Sequence, residues 1–175
     1  TLQYDIFKRI NKNGTVLNYQ EMRHAIALPR VRKLWKNMVE TDFFKQATNN
    51  SIKDNRMGDQ ELALRFIAFS LPQSKERYGG DMITFLDETA NILNIMPDNA
   101  FKEFEQKTLL QFNNAMQNAR HLFGEYAFRK CLLKDLAPQA YKQIINKALF
   151  LAWSIALSQY DAQIVQQQNE AGSFA

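Results

Sequence analysis

Apolar residues recur at positions i, i+3, i+4 and i+7 along almost the whole sequence, which is the spacing of one face of an α-helix. There are only four prolines and six glycines, and no run alternates apolar and polar residues long enough for a strand. We therefore expect an all-α fold, a multi-helix bundle of about seven to nine helices without significant sheet. The pattern places helices near 2–10, 19–27, 29–47, 58–70, 81–96, 97–123 and 138–158.

The length and composition predict one domain with a substantial core. The 175 residues are near the usual size of a single domain, with two subdomains, 1–80 and 81–175, as the alternative. Thirteen Phe and two Trp can fill the core, and Trp35 falls on an apolar stripe. The run from Ile144 to Ala156 is apolar on nearly every side, which predicts a central helix whose residues are inaccessible to solvent, namely Ile144, Leu149, Ala152 and Ile155.

Charge and cysteine usage indicate the compartment and the kind of partner. No apolar stretch approaches the roughly 20 residues of a membrane span, so we expect neither a transmembrane helix nor a membrane partner. Cys131 is the only cysteine, which is typical of a reducing compartment, and we expect the cytoplasm. Residues 1–80 hold 14 Lys and Arg against 8 Asp and Glu, so a polyanion would favour the first half of the chain. Since the first residue is Thr1 rather than Met, we expect a fragment of a longer protein.

The opening segment contains the most specific motif. Its residues match the pattern F-x-R-I-N-x-x-G-x-x-L-x-x-x-E, which here consists of Phe7, Arg9, Ile10, Asn11, Gly14, Leu17 and Glu21. This motif resembles the signature of the GmrSD-type family of bacterial restriction and phage-defence proteins, catalogued as domain of unknown function 262. The stretches 56–69, 123–129 and 145–150 are similar to later parts of that family. The Asp-Gly-Gln-Gln-Arg motif of the family's N-terminal half does not occur in this sequence.

The resemblance implies a function in restriction or phage defence, with the chemistry carried out elsewhere. In such proteins the N-terminal half binds or hydrolyses a nucleoside triphosphate, and a partner domain, often with a His-Asn-His arrangement, cuts DNA. We therefore expect the helical portion of a bacterial nucleotide-dependent DNA restriction protein, which contributes one wall of a nucleotide or DNA site. The implied partners are DNA, the missing N-terminal domain of the same protein and a nuclease domain or subunit. We expect no cofactor in this chain, and nucleoside triphosphate with Mg in the full-length protein.

Arg9, Asn11 and Gly14 are the candidate nucleotide-binding residues. A guanidinium offers bidentate donors suited to phosphate, an amide both donates and accepts, and glycine lets the backbone approach a ligand closely. The structural alternative is that Asn11 and Gly14 merely end one helix before the next begins. A helix stop needs no arginine, so both interpretations stay open.

Basic residues across two successive helices are the candidate DNA contacts. They are Arg23, Arg30, Arg32, Lys33 and Lys36. Such a stripe fits the phosphate backbone of nucleic acid, but neither interleaved aromatic residues nor a known DNA-binding motif accompanies it. The alternative is an ordinary solvated helix face.

The remaining polar residues favour structural roles. Glu21 follows Asn18 at the spacing of a capping box, and Asp59, Glu61 and Arg65 are spaced to form an ion-pair set. His24 and His121 have no neighbouring ligands for a metal, and Cys131 has no activating partner. We expect no catalytic residue and no metal site, and hence a chain that is inactive by itself. A structural or protein-interaction helical domain without a ligand is the alternative function.

Overall fold

The computed structural model describes residues 17–52, 55–132, 135, 137 and 143–172. It is 77% helical, and the part of the chain that it describes contains nine α-helices and no strand, which confirms the predicted all-α bundle. The helices are α1 (Tyr19–Ile26), α2 (Pro29–Glu40), α3 (Asp42–Thr48), α4 (Gly58–Ser70), α5 (Ser74–Arg77), α6 (Met82–Ile95), α7 (Asp98–Phe123), α8 (Lys147–Leu157) and α9 (Ala162–Gly172). Within these ranges no helix is long and apolar enough to cross a lipid bilayer.

The helix predicted over 29–47 is interrupted at Thr41. This residue has an extended backbone, with φ −63° and ψ 145°, so α2 ends before it and α3 begins after it. Its hydroxyl donates to the Met38 carbonyl at 3.0 Å and accepts from the Phe44 amide at 3.2 Å. Threonine at an N-cap satisfies an otherwise orphaned amide, and the apolar period continues through the break. The apolar periodicity alone therefore did not predict the break between α2 and α3.

The core is formed by α2, α4 and α7 together with the inner sides of α3, α6 and α8. Most of α4 is fully buried, including Leu62, Ala63, Leu64, Phe66, Ile67 and Ala68. Trp35 on α2 is completely buried, as predicted. Aromatic rings meet at the centre, where Phe66 and Phe112 have centroids 5.1 Å apart. The continuous cluster includes residues from both sides of the 72–81 segment.

The prediction of a central helix over 138–158 is wrong for the part that the structure describes, residues 143–158, and residues 138–142 lie outside the described residues. The helix α8 starts at Lys147, and its fully buried side chains are Phe150, Ser154 and Leu157. Ile144 is 77% exposed, Ala152 is exposed, and Leu149 and Ile155 are half-buried. The helix packs on α7 and α4 along one side, and its other side remains open to solvent. A helix that is apolar on every side can still be packed on one side only, because its composition does not determine how many other helices pack against it.

Candidate functional site

The candidate nucleotide-binding residues Arg9, Asn11 and Gly14 lie outside the described residues. The helix α1 starts with the predicted capping box. The Asn18 side chain accepts from the Glu21 amide at 2.8 Å, and the Glu21 carboxylate accepts from the Asn18 amide at 2.6 Å. This reciprocal pair confirms the structural role expected of Glu21.

A second contact ties the start of α1 to the turn before α4. Arg56 donates from Nε to Glu21 Oε1 at 3.2 Å and from Nη2 to Oε2 at 2.9 Å, and Asn18 donates to the Arg56 carbonyl at 2.8 Å. The hydrogen bonds from Arg56 and from the Asn18 amide hold the pKa of Glu21 below its ordinary value. We call these three residues the α1 clamp. It joins two of the sequence segments that carry the family resemblance.

The clamp holds a turn with an unusual backbone. Arg56 and Met57 have φ of 62° and 58°, a left-handed conformation that residues other than glycine seldom adopt. Each such residue costs about 1–3 kcal/mol and persists only where its surroundings determine it. Both ends of Arg56, its carbonyl and its guanidinium, are held by α1. The clamp therefore fixes the turn and the first residues of α4 against α1.

A cavity of about 230 Å³ opens beside the start of α1, between α1, α4 and α6. Apolar side chains of α6 form one part of its lining, and the ring of Tyr19 and the polar side chains of Glu61 and Arg65 form another. Its full lining is Tyr19, Arg23, Glu61, Arg65, Met82, Ile83 and Leu86. Tyr19 lies within the opening motif, five residues after the candidate nucleotide-binding residue Gly14.

Glu61 is the centre of an ion-pair network at this cavity. Its Oε1 accepts from Arg65 Nε at 2.9 Å and from Lys147 Nζ at 3.0 Å, and Arg65 Nη2 lies 2.8 Å away. Burial raises the pKa of Glu61, but the hydrogen bonds from Arg65 and Lys147 outweigh it, so this pKa lies below its ordinary value. The predicted pair of Glu61 with Arg65 is confirmed, and Lys147 of α8 is a second cation that bonds to the Glu61 carboxylate.

Two members of the predicted basic stripe, Arg23 and Arg30, bond to carboxylates and main-chain carbonyls of the protein itself. The Arg23 side chain is only 2% exposed, pairs with Asp87 at 2.6 Å and donates to the Ile83 carbonyl at 3.2 Å. Arg30 pairs with Asp98, and its guanidinium also donates to main-chain carbonyls at the end of α6. In this fold neither guanidinium is presented as a free phosphate ligand.

The other three members of the stripe lie on the outer side of α2. Lys33 and Lys36 are exposed and Arg32 is half-buried. Lys36 lies 3.5 Å from Glu40 one turn later, which is a weak surface pair. Lys45 of α3, which the sequence analysis did not include, lines a cavity of about 230 Å³ together with Lys36. Contact of Arg32, Lys33 and Lys36 with DNA stays a prediction.

Arg129 is an important residue that sequence analysis missed. It is 8% exposed, and it donates to the main-chain oxygens of Glu125 at 3.2 Å and Thr48 at 3.1 Å and to the Ser51 hydroxyl at 2.7 Å. It also donates to the Gln143 carbonyl. Next to Arg129, the Asn146 amide donates to the Phe128 carbonyl at 2.9 Å, so the segments 123–129 and 145–150, two further stretches of the resemblance, meet in the structure. An arginine just before a loop carries no sequence signal for such a role.

Within the described ranges, no group of three or more His, Cys, Asp or Glu side chains is arranged to hold a metal ion. His24 instead lies 3.1 Å from the Gln60 side-chain oxygen, and Cys131 is an exposed thiol.

Comparison of the chain with protein-family models, curated proteins and solved structures finds no match.

Proposed function

We propose that this chain is the helical part of a bacterial nucleotide-dependent DNA restriction or defence protein, in which it forms one wall of a nucleotide site. It catalyses no reaction alone and acts with an N-terminal domain of the same protein and a nuclease domain or subunit. The nucleoside triphosphate and Mg bind to the assembled protein. The observation that supports this proposal most directly is the α1 clamp, which anchors the chain immediately after Arg9, Asn11 and Gly14.

The clamp supports a binding function because it holds the start of α1, which directly follows the opening motif's Leu17 and Asn18, against the turn before α4. Leu17 adjoins Asn18, which bonds to both Glu21 and Arg56. Holding a binding segment in place before the ligand arrives reduces the ordering cost of binding. The turn at Arg56 and Met57 also stores backbone strain, which proteins retain mainly at functional sites. A purely structural helix start would be satisfied by the capping box alone.

Nucleotide binding to the full-length protein, measured by titration calorimetry, tests this proposal. We expect Arg9→Gln to weaken triphosphate binding by roughly 10-fold or more, because it removes a charge-assisted bond to phosphate. Glu21→Gln should weaken binding less, since it loosens the clamp and leaves the phosphate donors present. Glu40→Gln, on the outer surface of α2, is the matched control and should have no effect. The proposal is wrong if the full-length protein binds no nucleotide or if Arg9→Gln binds as tightly as wild type.

The open side of α8 favours protein interaction as a second candidate function. No charged residue lies between Lys147 and Asp161, and the exposed positions include Ala148, Ala152, Trp153 and Ala156. Uncharged apolar surfaces of this kind are typical of permanent interfaces. The occupant we propose is an apolar face of the neighbouring domain of the same protein.

Tryptophan fluorescence distinguishes whether this face is covered. Trp35 is completely buried, whereas Trp153 is 41% exposed, so acrylamide should quench chiefly Trp153 in the isolated chain. In the full-length protein this quenching should fall if a domain covers α8, and Ala152→Asp should restore it. Further tryptophans in that protein are replaced by phenylalanine for the measurement. Equal quenching of Trp153 in both proteins would exclude the interface.

A further inference from the structure

We propose that the junction between α2 and α3 binds a phosphate group of the DNA backbone, with Lys36 and Lys45 holding the phosphate at the mouth of a cavity and Glu40 competing with it for Lys36. This inference deepens the proposed function, on which it rests for the DNA partner. Neither Lys45 nor Glu40 belongs to the basic stripe predicted from the sequence.

The break at Thr41 brings the two lysines to one cavity. Lys36 and Lys45 are nine residues apart. On one unbroken helix over 29–47 they would point in opposite directions, because nine residues make about two and a half turns and span roughly 13.5 Å along the axis. In the structure the chain turns at Thr41, and both lysines line the same cavity. The basic surface of α2 therefore continues onto α3.

The two lysines lie at the mouth of this cavity. Lys36 and Lys45 are exposed, whereas Val39, Phe44 and Thr48 in the same lining are buried. A residue that is exposed and also lines a cavity lies where the cavity meets solvent. The volume of about 230 Å³ is more than ten times the roughly 10–15 Å³ that one water molecule requires, so a phosphate group with its hydration water fits.

The two carboxylates of the lining differ in their position. Glu40 is exposed and lies 3.5 Å from Lys36 Nζ, a weak surface pair between residues one turn apart. Asp59 is only 9% exposed and accepts from the Gln60 amide at 2.7 Å, so it belongs to the inner wall. A phosphate at the mouth replaces Glu40 as the partner of Lys36 and gains Lys45 as a second cation.

Neighbouring cations on α2 favour a row of phosphates over one free anion. Arg32 and Lys33 precede Lys36 by four and three residues, spacings that place side chains on the same face of a helix. Lys33 is exposed and Arg32 half-buried. Together with Lys45 they match the repeated charges of a DNA backbone, whereas a single free phosphate would use only the pair at the cavity.

Two opposite substitutions test the site in the binding of a labelled DNA duplex, measured by fluorescence anisotropy at about 50 mM salt. Lys45→Gln removes a cation from the mouth and should weaken binding by roughly 5-fold, the effect of an exposed ion pair. Glu40→Gln releases Lys36 and removes a repelling charge, so it should strengthen binding by roughly 2- to 5-fold. Lys107→Gln and Glu103→Gln, at exposed positions of α7, are the matched controls for net charge and should change the affinity by less than about 2-fold.

A double-variant cycle tests whether the two lysines hold the same phosphate. If they do, the loss of affinity in the double variant Lys36→Gln and Lys45→Gln should be smaller than the product of the two single losses, because the first substitution already loosens the shared group. In the control pair, Lys45→Gln with Lys107→Gln, the losses should multiply. Losses that also multiply for Lys36 and Lys45 would assign them to separate phosphates and overturn the shared site.

The remaining outcomes separate this site from the proposed function. Equal effects of the junction variants and the α7 controls overturn the site and leave DNA binding by the protein standing. At equal ionic strength, inorganic phosphate should displace the duplex no better than chloride. Stronger displacement that Lys45→Gln abolishes would show a site for free phosphate and overturn the DNA backbone as its ligand. Wild-type protein that binds no duplex overturns both the site and the DNA partner, and the nucleotide titrations test the nucleotide site separately.

Discussion

Arginine side chains hold several parts of this protein together by donating to main-chain oxygens. Arg23 bonds to the Ile83 carbonyl, Arg30 to carbonyls at the end of α6, and Arg129 to the carbonyls of Glu125 and Thr48. The guanidinium has five donors in a planar fork, so one side chain can satisfy acceptors from separate segments. The excess of Lys and Arg in residues 1–80 therefore does not mean that the surface of this half is equally positive, because some of the arginines are bonded within the fold.

Replacing Arg129 by lysine should destabilise the fold although the charge is kept. An ammonium group cannot reach acceptors on three sides, and each hydrogen bond to a charged group contributes about 1.5–3 kcal/mol. We expect the free energy of unfolding to fall by at least about 2 kcal/mol in a urea titration. Lys130→Gln at the exposed neighbouring position is the control. A loss below about 0.5 kcal/mol would show that the Arg129 bonds are dispensable.

The Glu61 network should make stability depend on pH. The pKa of Glu61 lies below its ordinary value of 4.5, so its ion pairs stabilise the folded state above about pH 4.5. This stabilisation disappears as the pH falls through the lowered pKa and the carboxylate becomes protonated. Glu61→Gln should therefore be less stable than wild type at pH 7, with a difference that shrinks below pH 4.5. Thermal unfolding across pH 2–7 measures this, and a constant difference would contradict it.

At the scale of elements, burial depends on the neighbours of a helix more than on its composition. The helices α4 and α8 are both strongly apolar, yet α4 is enclosed by α2, α6 and α8, whereas α8 packs along one side. Phe150 points inward from α8, with ring centroids 4.7 Å from Phe128 and 6.3 Å from Phe44. One stripe of α8 therefore contributes to the core.

Substitutions on α8 should differ in cost according to the side they occupy. Phe150→Ala should lower the free energy of unfolding by about 3–5 kcal/mol, because it removes a buried ring and leaves a cavity. Ala152→Ser, at an exposed position, should change it by less than about 0.5 kcal/mol. Denaturant titration of the two variants measures both values. Similar costs at the two positions would mean that α8 is surrounded in solution.

The outer side of α2 should bind duplex DNA weakly and without sequence preference. Three cations, Arg32, Lys33 and Lys36, lie outside the core interactions that occupy Arg23 and Arg30. Three phosphate contacts predict a log–log salt slope near about −2.7, and the double change to Gln at Arg32 and Lys33 should reduce it by roughly 1–2. Fluorescence anisotropy at several salt concentrations measures the slope.

The control for this measurement changes two exposed lysines of α7, Lys102→Gln and Lys107→Gln, which removes the same net charge from another surface. If that control lowers the salt slope as much as the α2 variant does, the binding reflects net charge alone. Binding that is absent at about 50 mM salt would leave the α2 residues as an ordinary solvated face.

At the scale of the whole molecule, one hydrophobic cluster connects residues of α2, α3, α4, α6, α7 and α8. The segments that carry the resemblance meet in two pairs, at the α1 clamp and next to Arg129. The residues that bond in these two places, Glu21 with Arg56 and Phe128 with Asn146, are 35 and 18 positions apart, so both contacts require the chain to fold back on itself. Motifs spread along the chain thus become two compact local structures.

The isolated chain should neither hydrolyse nucleotides nor cleave DNA. The sequence contains no recognisable nucleophile motif, metal set or acid and base pair with which to carry out either reaction. Assays of phosphate release and plasmid cleavage, with Mg present, measure both activities. Turnover that copurifies with the chain through several columns and is lost in a variant of this chain would refute the prediction.

The helical class, the ends of α1, α4, α6 and α7, the capping box and the Glu61–Arg65 pair were all predictable from sequence. Each depends on residues within about one helical turn, where spacing determines which side chains meet. The break at Thr41 was hidden because the apolar period continues through it. The α1 clamp could not be predicted from the sequence, because Glu21 and Arg56 are 35 residues apart and the capping box already accounts for Glu21.

The sequence by itself determined that this chain forms amphipathic helices, where four of them (α1, α4, α6 and α7) begin and end, and which local pairs cap or bridge them. Only the tertiary structure decided that Arg23 lies inside and Lys33 outside, that α4 rather than α8 is enclosed, and that Tyr19, Glu61 and Arg65 share a cavity. Local geometry follows from the periodicity of a helix, but burial depends on which distant segments pack beside it. The periodicity can be read directly from one sequence, whereas the packing of distant segments cannot.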